Sequence, residues 1–380
     1  MPLIDARVVA AALKVLVRGD LARYYSSGTS EVGHFEQEVS RFLGVRHTLG
    51  VNSGTSALIC ALVGLGIGPG DEVLVPAYTW VSTAAAPLAI GAVPVLTEID
   101  WSLTIDPAEV KKRISPQTKA ILVVHMLNLV CDMDAIMAIA KEHNLLVIED
   151  ACQAIGVTYH GRRVGSIGDA GAFSFQLNKN IQAGEGGAVL TNSEKVYTRA
   201  LMYHDVGSYI RQGRVATEEP LFVGQNYRMP NLSAAILRPQ LRALDAKLKV
   251  RRERRKFWLD KLNSKFGGGV KINPHNDPDN AVAIAVNFED PEEARRFGSQ
   301  RGIERLLDTQ RHVYTNWESI LSGVTYHPKV DPYAAIQRDV RIKEDSCPRT
   351  LDILARTCHI KLMPEIPMAA YRRMVGETSR

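Results

Sequence analysis

The stretch Phe173-Ser-Phe-Gln-Leu-Asn-Lys179-Asn-Ile-Gln-Ala-Gly-Glu-Gly-Gly187 decides how this chain is read. A short apolar strand, carried by Ala172, Phe173 and Phe175, runs into polar residues, a single lysine and a glycine-rich turn. Lys179 has no acidic neighbour closer in sequence than Glu185. Burial disfavours an ammonium ion, so a lysine held in a partly buried site gives up its proton more readily. The neutral amine is a nucleophile that forms Schiff bases with aldehydes. The glycines that follow allow a sharp turn and a close backbone approach to a ligand. A surface lysine ahead of a hairpin turn has the same local sequence. The reading therefore depends on whether the rest of the chain supplies partners for a lysine-bound aldehyde.

Upstream, from His47 to Ile148, short apolar runs alternate with helical segments. Strands are expected at Thr48–Val51, Glu72–Val75, Val93–Leu96, Ala120–Val124 and Leu145–Ile148. Helices are expected at Ala57–Leu65, Val81–Ile90 and Met133–Glu142, and through Ile114 from a cap at Asp106, where Pro107 takes the first helical position. This alternation predicts an α/β fold with a mostly parallel central sheet flanked by helices. Ligands of such sheets bind beyond the carboxyl ends of the strands. Two amphipathic helices, 6–17 and 35–44, come first, with a loop at 24–30 between them. Around residue 245 the character changes. A long charged helix over 238–265 leads into Gly267-Gly-Gly, a strand at Val282–Asn287 and a helix at Pro291–Arg301. The expectation is a large domain over 1–245 and a smaller C-terminal α/β domain over 246–380.

Several residues stand just after expected strands. In Asn52-Ser-Gly-Thr-Ser-Ala-Leu58, backbone N–H groups at a helix start, together with the Thr55 hydroxyl, make an anion site that Gly54 leaves open. An ordinary serine or threonine N-cap would look the same. Trp80, in Val75-Pro-Ala-Tyr-Thr-Trp80, faces the ligand edge, where an indole can stack on a planar ring; a core tryptophan is the bland alternative. Asp150, in Leu146-Val-Ile-Glu-Asp-Ala-Cys-Gln153, directly follows a buried strand. A poorly solvated acid there needs a cationic partner such as a protonated ring nitrogen, unless it merely caps a helix. Gln153 lies about one helical turn further on. Ser174 offers a second hydroxyl to a phosphate, or else faces solvent. Asn226, in Gly224-Gln-Asn-Tyr-Arg-Met229, is by itself only a loop amide. Gly64-Leu-Gly-Ile-Gly-Pro-Gly70 mimics a dinucleotide fingerprint, but it ends a helix and precedes a strand, the reverse of the required order, so it reads as a turn. An anion cradle, a stacking ring, a buried acid and a Schiff-base lysine are together what pyridoxal 5'-phosphate requires.

Composition sets the outer limits. The chain has 380 residues, 46% hydrophobic and 23% charged, which suits a soluble globular protein. No stretch has the apolar length of a membrane span, and the N-terminus lacks the apolar core of a signal peptide. Five cysteines at 60, 131, 152, 347 and 358 form no Cys-x-x-Cys pair, so neither a zinc site nor a disulfide framework is expected, and a reducing cytoplasm is. A net charge of +5 suits small anionic ligands better than nucleic acid. The basic run Lys247–Lys256 reads as a solvated helix face.

From about Gly33 to Leu248 the chain resembles the DegT/DnrJ/StrS family of fold type I aminotransferases. The resemblance is specific in Ser53-Gly-Thr-Ser-Ala-Leu58, Pro76-Ala-Tyr-Thr-Trp80, Glu149-Asp-Ala-Cys-Gln153, Ser174-Phe with Lys179 and Gly184-Glu-Gly-Gly187, and Gly224-Gln-Asn-Tyr-Arg-Met229. It implies that Lys179 forms the Schiff base and Asp150 binds the pyridine nitrogen. Gln153 would lie near the phenolic oxygen and Trp80 on the ring, with Gly54, Thr55 and Ser174 on the phosphate. Asn226 would reach the phosphate in the partner subunit, which implies a homodimer with shared active sites. The implied reaction moves an amino group from L-glutamate or L-glutamine to a keto sugar or cyclitol, in antibiotic, other secondary-metabolite or cell-surface glycan biosynthesis. Pyridoxamine-dependent sugar dehydratases of the family carry histidine in place of the lysine, and an idle relative would bind cofactor as a sensor without turnover. Two places depart from the family pattern. Met126-Leu-Asn-Leu-Val-Cys131 stands where many members have a Tyr-Gly turn, and Arg311-His-Val-Tyr-Thr-Asn-Trp317 is unlike the common nucleotide-sugar pattern.

Overall fold

The computed structural model describes residues 4–24, 30–207, 219–267 and 271–376. The loop read at 24–30 and the run at 267–269 fall mostly outside them. After α1 (Ala6–Arg18) and α2 (Glu31–Leu43), strands and helices alternate: β1 (His47–Val51), α3 (Gly54–Gly64), β2 (Glu72–Pro76), α4 (Ser82–Ala89), β3 (Val93–Thr97), α5 (Pro107–Arg113), β4 (Thr118–Val124), α6 (Met133–His143) and β5 (Leu146–Asp150). A short hairpin, β6 (Thr158–Tyr159) and β7 (Arg162–Arg163), precedes β8 (Ala170–Ser174), β9 (Gly187–Thr191), α7 (Glu194–His204), α8 (Asn231–Arg242) and α9 (Leu244–Phe266). There follow β10 (Lys271–Ile272), β11 (Ala285–Asn287), α10 (Pro291–Gly298), β12 (Ile303–Arg305), the single turn α11 (Glu318–Leu321), α12 (Pro348–Arg356), β13 (Thr357–Ile360) and α13 (Met368–Met374).

Seven strands form the central sheet in the order β1-β9-β8-β5-β4-β2-β3. Only β9 runs against its neighbours; the expected mostly parallel sheet is present. Its strands are buried along nearly their whole length because helices cover both faces. One face packs on α3 and α7 through residues such as Leu58, Leu62 and Ala200, and the other on α2, α6 and α8 through Phe35, Ile136 and Leu237. A second, antiparallel sheet, β10-β11-β13-β12, has its own core around Trp258, Phe288, Phe297 and Tyr371. Segment 312–314 lies along the end of β2: Thr79 N donates to His312 O (2.9 Å) and Tyr314 N to Ala77 O (3.2 Å). That pairing carries part of the C-terminal region onto the ligand edge of the large sheet.

Four expectations need correction. The helix read at 57–65 begins at Gly54, because Ser53 caps it with Oγ accepting from Ser56 N (3.0 Å). The long helix read over 238–265 is two helices that meet at Ala243. The charge pattern runs unbroken across that junction, but the change of direction seats Leu244 and Leu248 against Gly156, where an added Cβ would lie 2.6 Å from Leu248 Cδ1. Of the strand read at 282–287, only 285–287 pair as β11. The basic run is not simply a solvated face. Arg254 is buried, its guanidinium donating to Leu362 O (2.6 Å) and to Ile366 O, and Lys247 Nζ donates to Asn180 O.

Candidate active site

The site begins where β1 ends. Ser53 takes up one of the orphan donors at the start of α3, its Oγ accepting from Ser56 N, while its carbonyl accepts the first intrahelical bond, from Ala57 N (3.0 Å). The N–H groups of Gly54 and Thr55 remain as the outward donors of that first turn. Thr55 Oγ1 donates to Ser82 Oγ (2.8 Å), which ties this helix start to that of α4. The turn rests directly on two other strands. A Cβ on Gly54 would lie 2.7 Å from Ser174 Cβ and 3.1 Å from Cys152 Sγ. A Cβ on Gly187 would lie 2.2 Å from Ser53 O. Thus Gly54 packs against Ser174, with Thr55 beside it at the start of α3.

Asp150 is the last residue of β5 and is 5% exposed. Its Oδ2 accepts from Thr83 Oγ1 (2.8 Å), which pairs with Thr79 Oγ1 (2.7 Å), and its Oδ1 accepts from Cys152 N (3.2 Å). All of these partners are neutral. A buried carboxylate held only in this way still lacks the cation that would compensate its burial. Burial, with Asp150 alongside, pushes the Cys152 thiol far up, so the thiol stays protonated. Thr79 and Thr83 were not singled out in the sequence. Their i, i+4 spacing at a helix start was the only available signal.

Behind Asp150, the wholly buried Glu149 fixes the strand end. It accepts from His125 Nε2 (3.0 Å), Gly165 N (2.7 Å) and Gly168 N (2.7 Å). Burial pushes its carboxyl up, but the imidazole and these N–H groups outweigh that and hold it below the usual carboxylate range. His125 Nδ1 accepts from Cys131 N (3.2 Å), so the ring proton sits on Nε2 and is donated to Glu149.

Lys179 is half-buried on the segment leaving β8. Its positive charge acts to lower the pKa of both Cys152 and His312. Trp80 is no core residue: it is 47% exposed, with its ring edge-on to His312 at 5.8 Å. Burial first, then Arg311 and Lys179, lower the His312 pKa to about 4, so its imidazole is neutral near pH 7. Gln153 lies across the same opening, its Oε1 accepting from Leu127 N (3.2 Å). Asn226 stands apart. It is exposed, on a backbone bridge to Asp205, and is not gathered with the others.

The residues present fit pyridoxal phosphate. Gly54 packs too closely on Ser174 and Cys152 to carry a Cβ and leaves the N–H groups at the start of α3 as donors for an anion, the Asp150 carboxylate has only neutral hydrogen-bond partners, and the Lys179 amine and the exposed Trp80 indole both lie near His312. The model of the DegT/DnrJ/EryC1/StrS aminotransferase family matches residues 6–378. The chain is 42% identical over 244 residues to a GDP-perosamine synthase of Caulobacter vibrioides, covering 63% of this chain and 64% of that one. It is 40% identical over 227 residues to the L-glutamine:2-deoxy-scyllo-inosose aminotransferase of Streptoalloteichus tenebrarius, covering 57% and 53%. These alignments span about half to two thirds of each relative. Among solved structures, that of S. venezuelae DesV in complex with a ketimine intermediate superposes with a TM-score of 0.73 at 31% identity, over 98% of this chain and 95% of that one. By sequence over nearly its whole length, and by fold, the chain belongs to the DegT/DnrJ/EryC1/StrS family of pyridoxal-phosphate-dependent, fold type I aminotransferases.

Proposed function

We propose that this protein moves an amino group from L-glutamate or L-glutamine to a ketone of a sugar, a cyclitol or a related polyol. One observation carries the reading. Neighbouring strands β5 and β8 end on Asp150 and Ser174, and β8 leads on to Lys179, so a buried carboxylate, an anion cradle and an amine share one sheet edge. When bound, pyridoxal phosphate supplies the electron sink that stabilises a carbanion at the donor's α-carbon. The chain's own residues do the rest. Gly54 and Thr55 N–H and the Ser174 hydroxyl would hold the phosphate, joined by the Thr55 hydroxyl on turning from Ser82 Oγ, and Trp80 would cover the ring. Asp150 keeps a proton on the ring nitrogen, with Thr83 fixing its orientation. Gln153 stands by the phenolic oxygen. Lys179 Nζ would hold the aldehyde and would take up and return the α-proton of the donor.

The relatives named for GDP-perosamine and for L-glutamine and 2-deoxy-scyllo-inosose support a sugar or cyclitol acceptor. In this reading the exposed Asn226, beside exposed Leu221 and Val223, serves a second copy: Asn226 of the partner subunit completes the phosphate site of a homodimer. The division into two domains falls near 245, at the start of α9. All five cysteines are unpaired thiols, which supports a reducing cytoplasm. Among the described residues no helix is long and apolar enough to cross a membrane.

The test is spectroscopic. The purified protein with pyridoxal phosphate is expected to show a visible absorbance band that glutamate or glutamine bleaches. Lys179→Ala is expected to shift that band and slow the half-reaction at least about a thousandfold. An unchanged variant would overturn the assignment of Lys179, and a band that no donor bleaches would make the protein a binder without turnover.

A further inference from the structure

The turn after β4, Met126-Leu-Asn-Leu-Val-Cys131, contains two consecutive left-handed residues that are not glycine, Leu127 (φ 54°) and Asn128 (φ 66°). L-residues take that conformation when their surroundings impose it. Here the surroundings are side chains. Gln153 Oε1 accepts from Leu127 N (3.2 Å) and His125 Nδ1 from Cys131 N (3.2 Å). Asn276 Oδ1 accepts from Val130 N (3.2 Å), and its Nδ2 donates to Asn128 O (2.9 Å). The Asn128 side chain points the other way: its Oδ1 accepts from Asn180 Nδ2 (2.8 Å).

Asn180 is buried and directly follows Lys179. Its Nδ2 also donates to Ile155 O (3.0 Å), and its carbonyl accepts from Lys247 Nζ. The backbone N–H of Lys179 goes only to Gln176 O (3.0 Å), a contact inside the same loop. The loop carrying the amine is therefore tied to the body of the protein through Asn180, next to Lys179, and further on through Gln182, whose N–H donates to Gln240 Oε1 (3.1 Å) and whose carbonyl accepts from Gln240 Nε2 (2.7 Å). Glycine at 128 would make the turn without strain. Asparagine tolerates a left-handed backbone better than most residues and adds the oxygen that Asn180 needs.

We propose that Asn128 is a positioning residue for Lys179, fixing through Asn180 the backbone from which the amine projects, while the same turn sets Gln153. This rests on the assignment of Lys179 under Proposed function. The experiment uses the full chain, with and without added pyridoxal phosphate. Asn128→Gly keeps the left-handed backbone and removes the oxygen; Asn128→Asp keeps both. Without cofactor, hydrogen–deuterium exchange over residues 176–184 is expected to speed up about tenfold in Asn128→Gly and to stay at the wild-type level in Asn128→Asp, as loss of one buried hydrogen bond requires. With cofactor and a donor, the limiting rate of the single-turnover half-reaction is expected to fall about 10- to 100-fold in Asn128→Gly with the half-saturating donor concentration nearly unchanged, the signature of a misplaced reacting group. Asn180→Ala, which also loses the bond to Ile155 O, should speed exchange at least as much, and the double variant should add nothing to Asn180→Ala. Wild-type exchange in Asn128→Gly, or an Asn128→Asp as impaired as Asn128→Gly, would overturn the inference. The exchange result stands whether or not Lys179 binds the cofactor. A wild-type protein without a visible band would remove the assignment of Lys179 alone.

Discussion

At residues 52–56 the chain turns on a glycine packed hard against a neighbouring strand, whereas at 126–131, on the same edge of the sheet, it turns against four polar side chains. In the first region Gly187 brings β9 to where a Cβ would lie 2.2 Å from Ser53 O, and Gly54 lies on Ser174. The cradle is shaped by what is missing, and its outward groups are backbone N–H donors. In the second, Gln153, Asn276, Asn180 and His125 meet the polar groups of the turn, and Leu127 and Asn128 bear the strain. The first arrangement leaves the N–H donors of Gly54 and Thr55 for a ligand. The second fills its space and fixes the parts that would act on one.

That contrast can be broken by adding atoms to the first region and removing them from the second. The largest effect is expected from Gly187→Ala, since the new Cβ meets backbone that has no flexible end to move. The expectation is about 3 kcal/mol lost in stability and loss of the visible band, read by thermal melting and absorbance. Gly54→Ala meets a side chain instead, at 2.7 Å from Ser174 Cβ. It should cost about 1–3 kcal/mol and weaken pyridoxal phosphate binding. The double variant Gly54→Ala with Ser174→Gly should recover stability but not affinity, because the clashing Cβ goes together with a phosphate hydroxyl. In the second region Asn276→Ala leaves Val130 N–H and Asn128 O without their partner. A loss of about 1–2 kcal/mol is expected in denaturant titration. If Asn276→Ala proved as damaging as Gly187→Ala, the two regions would not differ in the way described.

Much of the fold was open to sequence reading because apolar runs and helical periodicity are local. The strands around Asp150 and the start of α4 beside Trp80 lie within a residue or two of their expected ends. Other features left no local trace. Nothing in Gly187–Thr191 says that β9 runs against its neighbours, since direction depends on where the preceding loop returns. The break at Ala243 is invisible in a continuous charged pattern. The burial of Arg254 in a basic run depends on carbonyls more than a hundred residues away.

The candidate site divides in the same way. Lys179, Asp150, Gly54, Thr55, Ser174, Trp80 and Gln153 could be named because each stands after a strand in a motif of a few residues. Their order along the chain, with the physics of strand ends, was enough to suggest a pyridoxal phosphate site. Thr83 on Asp150, His312 at the rim of Trp80 and the Asn128–Asn180 bond could not be named, because each joins residues between 52 and 232 positions apart. A sequence records which groups are available, since side-chain chemistry and helix or strand propensity belong to neighbouring residues. Only tertiary packing decided which of those groups would meet, and which would be left without a partner for a ligand to supply.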